Sequence, residues 1–175
     1  DAGKHVALVS KEVDSVVGPG LALRARRNNV IVTPVDGDQP SLLMGLVTWA
    51  EVLGLEIISA GKASEYDFVY DPKQKTLSSN GKTASAPDFG DWIEPATLDL
   101  STIAARRSEI AAEFPQRAVP DLCEMTLVAN ATGFLVDRAD LHVPIARITE
   151  VADFFSERSS GGVLGAPKVL DVFHC

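Results

Sequence analysis

Val30-Ile31-Val32-Thr33-Pro34-Val35-Asp36-Gly37-Asp38-Gln39-Pro40-Ser41 decides how this chain is read. Residues 30–35 are apolar and rich in β-branched side chains, the composition of a buried strand. The acidic loop 36–39 follows at once. Pro40 and Ser41 then open an almost wholly apolar segment that ends at Leu53, before Gly54. Residues 55–60 read as a second buried strand. The order is strand, short loop, helix, strand. It places Asp36, Asp38 and Gln39 at the carboxyl end of a strand, where open α/β sheets bind ligands. Two carboxylates and an amide exceed what a turn needs, although Asp and Gly are ordinary turn residues. The helix over 41–53 is expected to be buried nearly all round, since Leu42, Leu43, Met44, Leu46, Val47, Trp49, Val52 and Leu53 cover it. Ser41, Gly45 and Thr48 leave one narrow small-residue stripe, suited to close helix packing or to a ligand.

Upstream, residues 4–10 read as a short strand and 16–27 as a helix, its start delayed or broken by Gly18-Pro19-Gly20. Together with 30–35 this makes strand, helix, strand, half of a doubly wound unit. The chain opens at Asp1 without methionine and enters a strand within four residues, which reads as a piece of a longer protein.

Downstream, residues 73–92 read as a poorly ordered loop excursion, with a turn at Asn80-Gly81. Residues 66–70 read as a strand, and 100–114 as a helix capped by Ser101 with Arg106 and Arg107 exposed. Pro120-Asp121 opens a helix over 122–132 that Gly133 ends. A short helix over 149–157 and a closing strand over 168–173 complete the chain. The fold class is α/β: an α+β domain over 36–175, preceded by the tail of a doubly wound sheet over 1–35.

The net charge of −8, without a basic patch, argues against nucleic acid and anionic membranes as partners. No run is long enough to span a bilayer, and these residues carry no signal-peptide pattern. Two cysteines, Cys123 and Cys175, give no disulfide framework, so a reducing cytoplasm is the expected compartment. There is no Walker loop, no Gly-x-Ser-x-Gly elbow and no dinucleotide fingerprint, and the three histidines lack metal-ligand spacing. His142 reads as an ordinary loop histidine.

Glu124 is the sharpest single residue. Leu127, Val128 and Ala131 surround it on its wheel, so a carboxylate sits in the middle of an apolar face. It must find a cation, a metal or a proton there, either as a structural ion pair or in a cleft. Asn130 lies partway round the same helix and serves a different neighbour. Lys11 follows the first strand, and Lys62 follows the strand over 55–60. A lysine at such a position holds an anion, or acts as an acid once its pKa is lowered; a plain surface lysine is the alternative. Lys11, the 36–39 loop and Lys62 converge as three strand ends.

Ala2-Gly3-Lys4-His5-Val6 running into Lys11-Glu12-Val13-Asp14 resembles the end of the Rossmann domain in homoserine dehydrogenase-like oxidoreductases. In that family the pattern is Ala-Gly-Lys-His-Val, an apolar strand, then Asn-Lys-Glu; here Ser10 replaces the Asn. Val35-Asp36-Gly37-Asp38-Gln39-Pro40, with Gly54-Leu55-Glu56-Ile57-Ile58-Ser59-Ala60-Gly61-Lys62, looks like the entry into the catalytic domain. The stretch from Glu124-Met125-Thr126 to Gly133, and Leu141-His142-Val143-Pro144, are similar to signatures of one branch. That branch includes 1-deoxy-D-xylulose 5-phosphate reductoisomerase-like enzymes, which use NADPH.

The resemblance implies an NAD(P)-dependent oxidoreductase acting on a small polar carbonyl or hydroxy substrate, with or without a phosphate group. Its NADP or NAD would need a glycine-rich half that precedes this chain. Lys11 and Glu12 would then meet the cofactor, and Lys11 and Glu124 would be catalytic. Asp36, Asp38, Gln39, Lys62 and Asn130 would hold the substrate. The reductoisomerase relatives use a divalent metal. The resemblance assigns no ligands for it, and Asp36, Asp38 and Glu124 are the carboxylates open to that role. A homodimer is the expected assembly. A metabolite-binding or dimerising scaffold without activity is the alternative function.

Overall fold

The structure, a computed structural model, describes residues 3–90 and 99–175. Strand β1 (Val6–Leu8) leads into helix α1 (Lys11–Arg27) and then into β2 (Val32–Pro34), which lies parallel to β1 with Val6 opposite Val32. The expected strand-helix-strand is present, but the helix starts five residues early, at Lys11 rather than 16. The Ser10 side chain accepts from the Val13 N–H and fixes that start. Pro19 therefore falls inside a helix that is already nucleated, and Gly18-Pro19-Gly20 does not break it.

Helix α2 (Gln39–Val52) begins at Asp38, whose carboxylate accepts from the Gln39 N–H at 2.8 Å. It is not buried all round. Leu43 and Val47 enter the core, while Leu42, Leu46, Trp49 and Val52 are exposed. Its apolar sequence does not decide how many neighbours the helix has, and the described residues cover only one side of it.

β3 (Ser59–Ala63) pairs in parallel with β7 (Val169–Phe173). The second strand thus lies later than expected, and Gly61 and Lys62 belong to it rather than following it. β4 (Val69–Asp71), β5 (Thr76–Ser79) and β6 (Lys82–Ser85) form an antiparallel sheet. The excursion expected over 73–92 is therefore an ordered hairpin through residue 85, with fully buried Leu77 packed among Phe68, Phe89 and Phe114. Its Trp92 lies outside the described residues. The short, polar strands concealed the hairpin. The Asn80-Gly81 turn does appear, with φ of 48° and 75°.

Helix α3 (Leu100–Ile110) is capped by Asp99, which accepts from the Thr102 N–H at 2.9 Å, and not by Ser101. Arg107, expected outside, is buried against Glu150. Helix α4 (Val119–Thr132) ends at Gly133 in the left-handed conformation, and a single turn, α5 (Val151–Phe154), precedes β7. The architecture is mixed α/β.

The β3–β7 pair separates two environments. Leu170 and Val172 face α4 with Met125 and Val128, whereas Val169 packs with Phe154, Phe155 and Leu164 on the other side. Lys62 is in register with Val172, and Gly61 with Asp171. Alternation along a strand therefore sends Lys62 toward α4 and Asp171 away from it.

Candidate functional site

Glu124 lies near the middle of α4 and its side chain is fully buried. Two ammonium groups reach it. Lys11 Nζ, from the first turn of α1, donates to Glu124 Oε1, and Lys62 Nζ, from β3, donates to Glu124 Oε2. The carboxylate thus bridges two lysines that arrive from different elements. Arg147, the alternative partner for a purely structural pair, binds Glu150 instead.

Further groups close around the lysines. Lys62 Nζ donates to Gln39 Oε1 at 2.5 Å and lies 2.9 Å from Asp121 Oδ1. Ser64 Oγ donates to Asp121 Oδ2 at 2.7 Å. Asp38 Oδ2 stands 3.8 Å from Lys11 Nζ. The loop after β2, the start of α1, β3 and α4 therefore contribute to one cluster. Glu124 is sealed, but the Lys11 and Lys62 side chains remain 24% and 13% exposed, so the cluster meets solvent through its cations.

The electrostatics follow from this geometry. The hydrogen bond to Glu124 raises the Lys11 pKa above its ordinary value, against a smaller opposing effect of burial. Burial acts more strongly on Lys62, but its bonds to Glu124 and Asp121 outweigh it, and that pKa is raised as well. By position alone either lysine could have a lowered pKa. The structure instead holds both as firm cations, because each has a carboxylate partner.

Other expected site residues fall outside the cluster. Asp36 is exposed and accepts from the Gly37 N–H at 2.9 Å. Glu12 is exposed and accepts from Ser10 Oγ at 3.0 Å. Asn130 is exposed and lines a groove with Gly18, Ala22 and Thr33, farther along α4 than Glu124. Among the described residues no group of three or more His, Cys, Asp and Glu side chains is placed to hold a metal ion. Asp36 stands apart, and between Asp38 and Glu124 stands the Lys11 ammonium, with Lys62 on the other oxygen of Glu124. The donor set does not fit a divalent metal.

Asp121 and Ser64 joined the site without having been singled out for it. By position Asp121 suits the first turn or the cap of its helix, on the side of the wheel near Glu124. Its signal was the spacing of three from Glu124, which puts both carboxylates on one helix face.

Among the described residues no helix is long and apolar enough to cross a membrane. No curated protein matches the chain. Residues 107–175 match the family described as "Oxidoreductase DRL, catalytic domain". That stretch holds Asp121 and Glu124 but not Lys11, Gln39 or Lys62, and the match supports an oxidoreductase function for the protein.

Proposed function

We propose that the Lys11–Glu124–Lys62 cluster is the substrate side of an NAD(P)-dependent oxidoreductase acting on a small polar carbonyl or hydroxy compound. The observation that carries this reading is the convergence of two partly exposed ammonium groups on one buried carboxylate, close to the end of a parallel strand. A carbonyl oxygen brought to the two cations gains charge as it is reduced, and fixed cations stabilise that charge without reorganising. Glu124 keeps both lysines protonated and aimed. Lys11 has the more open side chain, so it gives a proton to the nascent alkoxide and regains one from water. Gln39 and Asp121 fix the Lys62 ammonium, and Asp38 stands ready to accept from a substrate hydroxyl.

Ser10, Lys11, Pro34, Val35 and Ser41 line a hollow of about 10 Å³ at the ends of β1 and β2. The hollow has room for about one water, so a nicotinamide ring would lie against its rim rather than inside it. When bound, NADP or NAD supplies or accepts the hydride.

The test is oxidation of NADPH or NADH by the full-length protein, followed by loss of nicotinamide absorbance, across small carbonyl compounds with and without phosphate. Turnover of one of them that falls in the Lys11→Ala variant, with the cofactor KM little changed, supports the reading. No turnover across the panel counts against it. A dimerising scaffold is the second reading. The exposed apolar face of α2, with Leu42, Leu46, Trp49 and Val52 more than half exposed, favours it. Light scattering that shows a monomer removes that reading.

A further inference from the structure

A pocket of about 360 Å³ lies on the face of β3–β7 turned away from Glu124. Arg117, Arg138 and Arg158 bring guanidinium groups to its wall, the His142 ring lies beside them, and Ser101 and Ser108 belong to the same wall. A chain with a net charge of −8 gathers three guanidinium groups around one cavity. Guanidinium forks match oxyanions in geometry as well as charge.

The wall is built rather than accidental. Asp171 is buried in β7 and accepts from the N–H groups of His142, Val143 and Val172 at 2.8–3.1 Å. Its Oδ2 also holds His142 Nδ1 at 2.6 Å. Leu141 and Val143 carry φ of 60° and 46°, left-handed values that a β-branched valine rarely adopts. The Asp171 carboxylate pins that unfavourable loop and so fixes the imidazole against the pocket. Asp137 stands at the other ring nitrogen, 3.3 Å from His142 Nε2. It also binds Arg158 Nη2 at 2.9 Å and the Gly165 N–H at 3.2 Å. A Cβ at Gly165 would come within 2.6 Å of Asp137 Oδ1, so the glycine leaves room for this carboxylate.

Two of the arginines share one exposed acid, and Arg117 also donates to the carbonyls of Gln116 and His142 at 2.7 and 3.4 Å. Asp140 is 58% exposed and stands 3.2 Å from Arg138 Nη2 and 3.9 Å from Arg117 Nη2. Asp140 accepts from Arg138 at two atoms, Nε at 3.3 Å and Nη2 at 3.2 Å, but the pair is solvated, so a bound oxyanion competes with it for Arg138.

We infer that this pocket is a second binding site, for a small molecule bearing a phosphate or carboxylate group. The volume suits a compound of metabolite size. Its residues share none with the Lys11–Glu124–Lys62 cluster, so the inference stands independently of the proposed reduction.

The experiment is a calorimetric titration of the whole protein at low salt with inorganic phosphate and, separately, with succinate. Arg138 and Arg158 are exposed, so the double variant Arg138→Gln, Arg158→Gln is expected to fold, which circular dichroism checks. The inference predicts saturable binding of at least one probe, weakened about tenfold or more in the double variant and unchanged in Lys11→Ala. Phosphate alone, or succinate alone, tells which oxyanion the site takes. Absence of saturable binding for both probes overturns the inference. So does binding that survives the arginine substitutions, whether or not Lys11→Ala affects it.

Discussion

Lys62 Nζ lies 2.9 Å from Asp121 Oδ1, so the carboxylate one turn before Glu124 on α4 shares a cation with it. Asp121 Oδ1 is buried, and the contact with Lys62 is its compensation, while Ser64 satisfies the other oxygen. Two carboxylates from one helix face thus set the position of one strand lysine. Asp121 is a positioning residue in this account, since it touches the lysine rather than a reacting atom. Asp121→Asn is expected to lower kcat by about tenfold, with a smaller change in KM, because the ammonium is then held from one side only. It also lowers the Lys62 pKa toward its ordinary value. An Asn variant with a wild-type rate and an unmoved pH profile would show that Asp121 serves only the fold.

The pH dependence of the two directions of reaction should differ. Lys11 and Lys62 both have raised pKa values, so both stay protonated beyond the ordinary lysine value of about 10.4. Reduction of a carbonyl needs those cations and should be flat across neutral pH. Oxidation of the alcohol needs a group that accepts the proton, and its rate should rise with pH into the alkaline range. An oxidation rate that reaches its plateau below neutrality would assign the proton transfer to another group.

Acid should unfold the protein partly through Glu150. Burial opposes its charge, but Arg107, Arg147 and the Arg147 N–H outweigh that and bring its pKa down to about 2. The folded pKa lies below the ordinary value of 4.5, so the contribution is complete above that value and is lost as the pH falls toward 2. At neutral pH this amounts to roughly 3 kcal/mol, at 1.36 kcal/mol per pKa unit. Glu150→Gln should remove part of the stability difference between about pH 5 and about pH 2 in urea titrations. An unchanged acid profile in that variant would place the acid-sensitive group elsewhere.

Several of these relationships were legible in the sequence, and others could not be. Glu124 stood out because a carboxylate among Leu127, Val128 and Ala131 contradicts its surroundings, and such a conflict must be resolved by a partner. The partners were nameable, since lysines near strand ends point toward a common place. The strand register was not. Residues 55–58 are as apolar as a buried strand, yet pairing begins at Ser59, because Gly61 can lie against the Asp171 backbone. The burial of α2 was overstated for a related reason: exposure depends on neighbours that the helix's own residues do not encode. His142 reads as ordinary because Asp171 lies 29 residues away on β7, and no local pattern turns the nearby Asp137 back toward the ring.

Gly61 gives a structural prediction tied to the site. A Cβ there would stand 2.0 Å from the Asp171 carbonyl oxygen, a backbone atom within a paired strand. Neither strand can yield without disturbing Lys62 or the loop that Asp171 pins. Gly61→Ala should destabilise the fold by about 1–3 kcal/mol, read from the urea midpoint. A variant as stable as the parent would mean that β3 and β7 separate more easily than this packing implies.

The central claim is that Glu124 organises a reaction site rather than merely closing the core. Glu124→Gln keeps the shape and removes the charge that holds both lysines. The side chains of Lys11 and Lys62 reach solvent, so they can rehydrate, and Lys62 keeps Asp121 and Gln39. The stability loss should therefore fall below the roughly 3–5 kcal/mol of a sealed ion pair. The decisive measurement is kcat/KM of Glu124→Gln against the parent protein, on the carbonyl compound that the parent reduces, at a temperature where both are folded. The account predicts a fall of about a hundredfold or more. A Glu124→Gln enzyme that retains kcat/KM within a small factor of the parent would contradict it.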